Sequence, residues 1–126
     1  MTEVSGAEAV WLLEGSNLGR LVYPQRDLVV VRPARHVWEC GQLVVRTPVA
    51  VAAVPAAVTY HVEEIRAVQG TGWTVAVSGP VEVLDDVDEA AHYRRTLSGW
   101  AHGPHDTLLR LQPKTVSGFR LGRAEG

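Results

Sequence analysis

The sequence predicts a mainly β protein, a closed or nearly closed antiparallel barrel that carries two short helices. Runs rich in valine, leucine and aromatic residues recur along the chain and are divided by short turns containing Pro, Gly or Asp. Two other segments have helix-capping patterns. Because closure hides edge strands, a barrel suits six or more short strands in 126 residues. This length provides one core, so we expect a single domain over residues 1–126.

The first helix is predicted just after the amino terminus. Ser5 followed three residues later by Glu8 is a capping-box pattern. Trp11 and Leu13 continue it at near-helical spacing, and Gly15 is a suitable stop. A short helix therefore opens the domain.

Strands follow this helix, joined by tight turns. The predicted segments are LGRLVYP (18–24), DLVVVRP (27–33), RHVWE (35–39), GQLVVRT (41–47), AVTYHVEEI (57–65), GWTVAVSGPVEV (72–83), DTLLRLQ (106–112) and KTVSGFRL (114–121). The sixth is long and is interrupted by Gly79 and Pro80. We expect a bend there, with two halves that serve different parts of a curved sheet.

A second helix is predicted over residues 86–100. Its start is acidic and its later turn contains Arg94 and Arg95, which suits the helix dipole, and Gly99 is placed to end it.

Charge and cysteine content exclude several functions. A net charge of −2 and a pI near 6.2 provide no broad attraction to nucleic acid or an anionic membrane. Cys40 is the single cysteine, and no signal peptide or spanning helix is recognisable, so we expect a cytoplasmic protein. Lys114 is the single lysine beside eleven arginines. Any anion site must therefore depend mainly on arginine.

Several landmarks, taken in order, carry a family resemblance. They are GRLV after the first helix, G-x-L-V-V-R-T, V-T-Y-x-V-E-E-I, G-W-T-V-x-V-x-G, W-x-x-G after the second helix, and the closing L-x-P-x-x-V-S-G-F-R-L. Together they resemble the pyridoxamine phosphate oxidase-like, FMN-binding split-barrel family over residues 12–121. The resemblance implies a six-stranded Greek-key barrel that forms a homodimer with a flavin in each groove between subunits. It also implies a flavin-dependent oxidoreductase that uses FMN or the deazaflavin F420, with the substrate left open.

The resemblance places the cofactor-binding residues as well. The implied positions are Pro33, Ala34, Arg35, His36, Arg46, Thr47, Trp73, Trp100 and Arg120. Arginine and threonine are suitable donors for a phosphate, which is the expected role of Arg46 and Thr47. Residues 33–36 occupy the position whose backbone lies along the flavin ring. Trp73 and Trp100 match aromatic positions near the dimer groove, Trp100 reaching from the second subunit.

One departure from the family pattern bears on flavin binding. Relatives continue after the Arg-Thr pair through a Gly-x-Lys turn, whose lysine completes the phosphate site, and then a helix. Here that turn is missing, and Pro48 and Pro55 oppose a regular helix. Phe119 stands where a second basic residue is common, leaving Arg120 alone. The alternative is a degenerate split barrel that has lost flavin and serves as a non-catalytic dimer.

Simpler roles are open for several of these residues. Arg46, and likewise Arg35 with His36, could be strand residues that face water. Trp73 and Trp100 could be packing residues. His102 and His105 have metal-ligand spacing, but no third ligand accompanies them, so we predict no metal site. We assign no catalytic residue.

Overall fold

The computed structural model describes residues 1–98 and 104–122. Helix α1 spans Gly6–Glu14 and α2 spans Val87–Thr96. The strands are β1 Thr2–Glu3, β2 Leu18–Gln25, β3 Leu28–Glu39, β4 Gln42–Thr47, β5 Ala57–Arg66, β6 Thr71–Val83, β7 Thr107–Leu111 and β8 Thr115–Leu121. None of the helices within these ranges is long and apolar enough to cross a membrane.

All described strands pair in one antiparallel sheet, in the order β1-β8-β6-β5-β2-β3-β4-β7. Because β6 also pairs with β7, the six strands from β6 round to β7 close into a ring. The mainly β barrel with two helices is thus confirmed. The sheet nevertheless has eight strands rather than six, since β8 and β1 extend from β6 outside the ring. Strand β1 was missed because two residues carry no periodic pattern.

The core fills the ring and continues under both helices. Its main cluster includes Leu21, Tyr60 and Val75 from the barrel and Leu13 from α1. A smaller cluster places Leu97, just after α2, against Val44, Leu84 and Leu108. Each helix therefore covers a different part of the barrel and presents its terminus to a different set of strands.

The sequence divided β3 into two strands, and this was wrong. Pro33 was expected to break the run, but β3 pairs with β2 continuously from Leu28 to Arg35. The carbonyl oxygen of Pro33 accepts a hydrogen bond from Thr47 Oγ1 at 3.1 Å, so this edge of Pro33 faces the end of β4. In an extended residue the backbone nitrogen and the C=O point to the same side, so the nitrogen of Pro33 also faces the end of β4. The strand pairing needs no N–H donor at this point, so proline does not interrupt β3.

The predicted start of α1 is confirmed and the end of α2 is corrected. Ser5 Oγ accepts from the backbone N–H of Glu8 at 3.1 Å, and Gly15 caps the carboxyl end. Helix α2 begins after Asp86, but its last residue is Thr96. Gly99, the expected terminator, lies outside the described residues. Between β4 and β5 the two prolines leave only a three-residue 3-10 helix, Val51–Ala53.

The expected change at the middle of β6 is confirmed. Residues before Gly79 pair with β5 and β8, whereas Val81–Val83 pair with β7. The chain at Gln112 and Lys114 crosses this point and hydrogen-bonds to β6 on both sides of Gly79. A Cβ on Gly79 would lie 1.9 Å from the carbonyl oxygen of Gln112. Glycine is thus required where β6 changes partners.

We expect Gly79→Ala to lower the free energy of unfolding by about 2–3 kcal/mol, because backbone must move to admit the methyl group. Chemical denaturation measures this. Gly6→Ala is the control, since a Cβ there meets nothing within 4 Å. Equal stability of the two variants would contradict the close approach.

Candidate functional site

The residues implied as cofactor contacts fall into two groups. Arg35 and Arg46 are directly opposite each other on β3 and β4, which brings Pro33–His36 beside Arg46 and Thr47. Trp73 and Arg120 are opposite each other on β6 and β8. The second group lies near the start of β6. The first lies beside β7, which pairs with the end of β6. Trp100 lies outside the described residues.

Arg46 is held by a carboxylate and by the end of α2. Its Nε and Nη2 each donate to one oxygen of Asp106 at 2.8 Å, a bidentate pair. Its Nη1 donates to the carbonyl oxygens of Leu97 at 2.9 Å and Arg94 at 3.3 Å. The side chain is only 13% exposed, so the interpretation of Arg46 as a charge facing water is wrong.

The pair between Arg46 and Asp106 shifts the pKa of each partner so that its charged form is favoured. The hydrogen bonds from Arg46 lower the pKa of Asp106 below its usual value. The hydrogen bond to Asp106 raises the pKa of Arg46. Of the five N–H groups of Arg46, at most one is left for a ligand while Asp106 is in place.

Two further arginines adjoin this pair. Arg35 Nη1 donates to the carbonyl oxygen of Ser98, one residue beyond the Leu97 carbonyl that Arg46 binds. Arg94 Nη2 donates to the backbone oxygen of Asp106 at 2.9 Å. Arg35 is partly buried, so it faces water only in part. We call Arg35, Arg46 and Arg94 the arginine cluster.

The arginine cluster has unused donors. Arg35 Nε and Arg94 Nη1 are buried and have no hydrogen-bond partner among the described residues. Buried polar groups are nearly always paired in proteins, and an unpaired one points to an ion or ligand. Three positive charges beside the carboxylate of Asp106 give the described part of the cluster a positive surplus, which suits an anion.

Neighbouring predicted contacts are occupied within the chain. Ala34 and Thr47 are buried, and the hydroxyl of Thr47 donates to Pro33. While that bond is made, Thr47 acts as a link between β3 and β4. Backbone atoms of residues 33–36 as flavin-ring contacts stay a prediction.

His36 is buried rather than solvent-facing, which corrects the sequence interpretation. Its Nε2 is 3.0 Å from the carbonyl oxygen of Leu13, and its Nδ1 is 2.6 Å from the hydroxyl of Tyr60. A carbonyl only accepts, so Nε2 carries the hydrogen and Nδ1 accepts from Tyr60. Burial lowers the pKa of His36, and burial also raises the pKa of Tyr60 well above its usual value. His36 therefore joins α1, β3 and β5 as a neutral residue.

The second group lines a groove below α1. Its walls are formed by Trp11, Leu12, Glu14, Gly15, Glu64, Trp73 and Arg120. Arg120 Nε donates to Glu8 Oε1 at 2.5 Å. In a single chain this group therefore forms a surface of its own, separate from the arginine cluster.

Sequence reasoning missed Asp106, Arg94 and Tyr60. Nothing in their local patterns distinguishes them, because each acts through a partner far along the chain. His105, next to Asp106, was considered only in connection with a metal. His102 lies outside the described residues, and within residues 1–98 and 104–122 no group of three metal-ligating side chains is present.

The closed ring with its two extending strands defines a split-barrel protein, and the comparisons identify the family. The model of the pyridoxamine 5'-phosphate oxidase family matches residues 5–120. An uncharacterized protein of Mycobacterium tuberculosis is 30% identical over 130 residues, covering 96% of this chain and 86% of the relative. The chain belongs to the pyridoxamine 5'-phosphate oxidase family.

Solved structures agree on the fold. A Corynebacterium glutamicum protein, provisionally called a pyridoxamine 5'-phosphate oxidase, superposes with a TM-score of 0.79 at 22% identity, covering 99% of this chain and 96% of that one. The FAD binding protein of Mycobacterium smegmatis superposes with a TM-score of 0.73 at 23% identity, covering 98% and 99%. At these identities the similarity establishes the fold alone.

We expect stability to fall on acidification because of His36. Its pKa is lowered below 6.5 in the folded state, so the unfolded chain binds the proton more readily. The contribution of neutral His36 to the free energy of unfolding is complete above pH 6.5 and is lost as the pH falls through the folded-state pKa. Denaturation at several pH values between about 4.5 and about 8 measures it. The stabilising contribution of Asp106, whose pKa is lowered from 3.8, is present throughout this range and is lost only at more acidic pH.

His36→Gln should flatten this pH dependence, whatever its effect on absolute stability. His92→Gln, on the exposed side of α2, is the control and should keep the slope. An unchanged slope in His36→Gln would show that His36 is not the titrating group.

Proposed function

We propose that this protein is a flavin-nucleotide-dependent oxidoreductase that holds the phosphate of its cofactor on the arginine cluster. The observation that supports this most strongly is that two nitrogens, Arg35 Nε and Arg94 Nη1, are buried without a hydrogen-bond partner among the described residues. Both arginines adjoin Arg46, the residue that the sequence selected for phosphate binding. A phosphate dianion accepts such hydrogen bonds and neutralises the positive surplus. FMN is the preferred candidate, with F420 as the alternative.

Each residue of the cluster has a distinct part in this proposal. Arg35 and Arg94 offer the free donors. Arg46 positions them, because it ties β4 to the carboxyl end of α2 and to Asp106. These arginines take the place of the missing Gly-x-Lys turn. When bound, the flavin supplies hydride-transfer chemistry, and the chain's own residues orient it and exclude water.

Asp106 opposes the phosphate. Its carboxylate already occupies the bidentate face of Arg46 and adds a negative charge to the cluster. With the missing lysine, this predicts weak binding, and we expect the purified protein to contain little flavin. Strong visible absorption from stoichiometric flavin after purification would contradict this expectation.

The relevant variants alter single charges of the cluster. Arg46→Ala should weaken FMN binding by about 2 kcal/mol or more, and Arg35→Ala or Arg94→Ala by about tenfold each. Asp106→Asn should strengthen binding by about threefold to tenfold, because it removes a competing charge and keeps the shape. Quenching of FMN fluorescence measures the affinity of all four variants, and F420 is titrated in parallel.

The controls are neighbouring arginines outside the cluster. Arg95 lies beside Arg94 on α2, and Arg32 lies on β3 with its Nη1 bonded to the carbonyl of the adjacent Val31, so the control variants are Arg95→Ala and Arg32→Ala. Both should bind FMN as the unaltered protein does. Equal losses in controls and cluster variants would place the phosphate elsewhere.

A second candidate function has an observation in its favour. The internal pair with Asp106 satisfies Arg46 without any ligand, as expected for a split barrel that has lost flavin and serves as a binding or structural dimer. Failure of both the unaltered protein and Asp106→Asn to bind FMN or F420 would favour this alternative.

We also propose that the protein is a homodimer, formed through the outer face of β2 and β3. Val29 and Val31 are 69% and 47% exposed on this face. They lie opposite Pro24 and Val22 of β2, which makes a contiguous apolar surface. A second copy would cover it, in an interface of about 2,000 Å² or more if the dimer is obligate.

Light scattering at micromolar concentration should therefore report the mass of a dimer. The double variant Val29→Glu/Val31→Glu should be monomeric, because it places charges in the interface. Val68→Glu is the control, since Val68 is 88% exposed in the turn between β5 and β6. A monomeric unaltered protein would refute the dimer.

A further inference from the structure

The carboxylate of Asp106 lies where the arginine cluster would hold an anion. Its Oδ2 is 2.8 Å from Nη2 of Arg46 and 3.9 Å from Nε of Arg94, which places it between two guanidinium groups. Its Oδ1 accepts a hydrogen bond from Nε of Arg46 at 2.8 Å. The chain therefore supplies an anion of its own to the cluster.

A phosphate and Asp106 compete for the same edge of Arg46. The Nε–Nη2 edge of a guanidinium group forms two parallel hydrogen bonds with a carboxylate or a phosphate, and here both bonds go to Asp106. Nη1 is engaged separately, by carbonyl oxygens at the end of α2. If the Asp106 side chain rotated away, this edge of Arg46 would become free while the bonds to α2 stayed in place.

Such a rotation does not require the fold to change. The side chain of Asp106 is 40% exposed, so its carboxylate can turn into water. Its backbone oxygen is held by Nη2 of Arg94 at 2.9 Å, and the next residue, Thr107, is buried and pairs with Thr47 of β4. The backbone is thus fixed on both sides of the side chain. An ion pair that is partly in water opposes the rotation only weakly.

The carboxylate does not satisfy the whole cluster. Arg35 Nε and Arg94 Nη1 are buried and lack a partner among the described residues although Asp106 is in place. A carboxylate has one charge and two oxygens, whereas a phosphomonoester has about two charges and three terminal oxygens. A phosphomonoester can therefore replace Asp106 at Arg46 and also accept from a neighbouring arginine. Acetate would only exchange one carboxylate for another.

We propose that Asp106 is an autoinhibitory side chain, which occupies the phosphate position of the arginine cluster in the empty protein and is displaced by a phosphomonoester dianion. This inference rests on the proposed phosphate site and specifies how that site is closed when no ligand is bound. The internal carboxylate compensates the charge of the cluster and excludes weaker anions. FMN and inorganic phosphate share the required chemistry, so both serve as probes.

The first test uses inorganic phosphate and acetate at constant ionic strength and a pH of about 8, where phosphate is mainly a dianion. Binding is followed through the Nε–H NMR signal of Arg46. Asp106→Ala and Asp106→Asn should bind phosphate about threefold to tenfold more tightly than the unaltered protein. Acetate should bind to Asp106→Ala, where a carboxylate position is empty, and not to the unaltered protein. Glu89→Ala is the control, because Glu89 on α2 pairs with Arg110 at 2.6 Å, outside the cluster.

The second test uses FMN and observes Asp106 itself. Its carboxyl carbon signal is identified by its loss in Asp106→Asn. Saturation of the unaltered protein with FMN should move this signal to the position of an aspartate in water, because the carboxylate leaves Arg46. The carboxyl signal of Glu89 should not move. Riboflavin, which has no phosphate, should leave both signals unchanged.

The outcomes separate this inference from the flavin function. An unmoved Asp106 signal in protein saturated with FMN would overturn the autoinhibitory role and leave flavin binding in place. Equal phosphate affinity in the unaltered protein and both Asp106 variants, or no phosphate binding by any of them, would also overturn it. Tighter phosphate binding by the Asp106 variants, with no FMN binding by any protein, would support the autoinhibitory role and refute the flavin function.

Discussion

The bidentate pair between Arg46 and Asp106 is the interaction on which the candidate phosphate site depends. It joins β4 to the segment before β7, and through the Leu97 carbonyl it joins both to the end of α2. Positive side chains are favourable at the carboxyl end of a helix, and Arg46 and Arg35 both donate to carbonyls there. The same contacts that stabilise the fold gather the cations that an anion requires.

A second polar link acts at the other side of β3. His36 joins the end of α1 to Tyr60 of β5 through two hydrogen bonds inside the core. Both residues are held neutral by burial, so this link favours one arrangement without introducing a buried charge. Residues 35 and 36 on β3 thus separate the two functions: Arg35 faces the cluster, and His36 supports the core.

The barrel and most of its elements could be predicted because they follow from local patterns. The Ser5 cap and the turn at Cys40 and Gly41 have short-range causes. Gly79 beside Pro80 marks the bend in β6 locally, but the need for glycine there comes from the distant chain at Gln112. The strands that carry Arg46 and Trp73 could be predicted, but the separation of these two residues within one chain could not. Asp106 is 60 residues from Arg46, and their meeting depends on closure of the barrel.

Comparison of FMN with riboflavin tests the central claim most directly, because the two differ only in the phosphate. The arginine cluster as a phosphate site predicts that FMN binds at least about tenfold more tightly than riboflavin, and that this difference disappears in Arg46→Ala. Equal affinities of the unaltered protein for FMN and riboflavin would contradict the account.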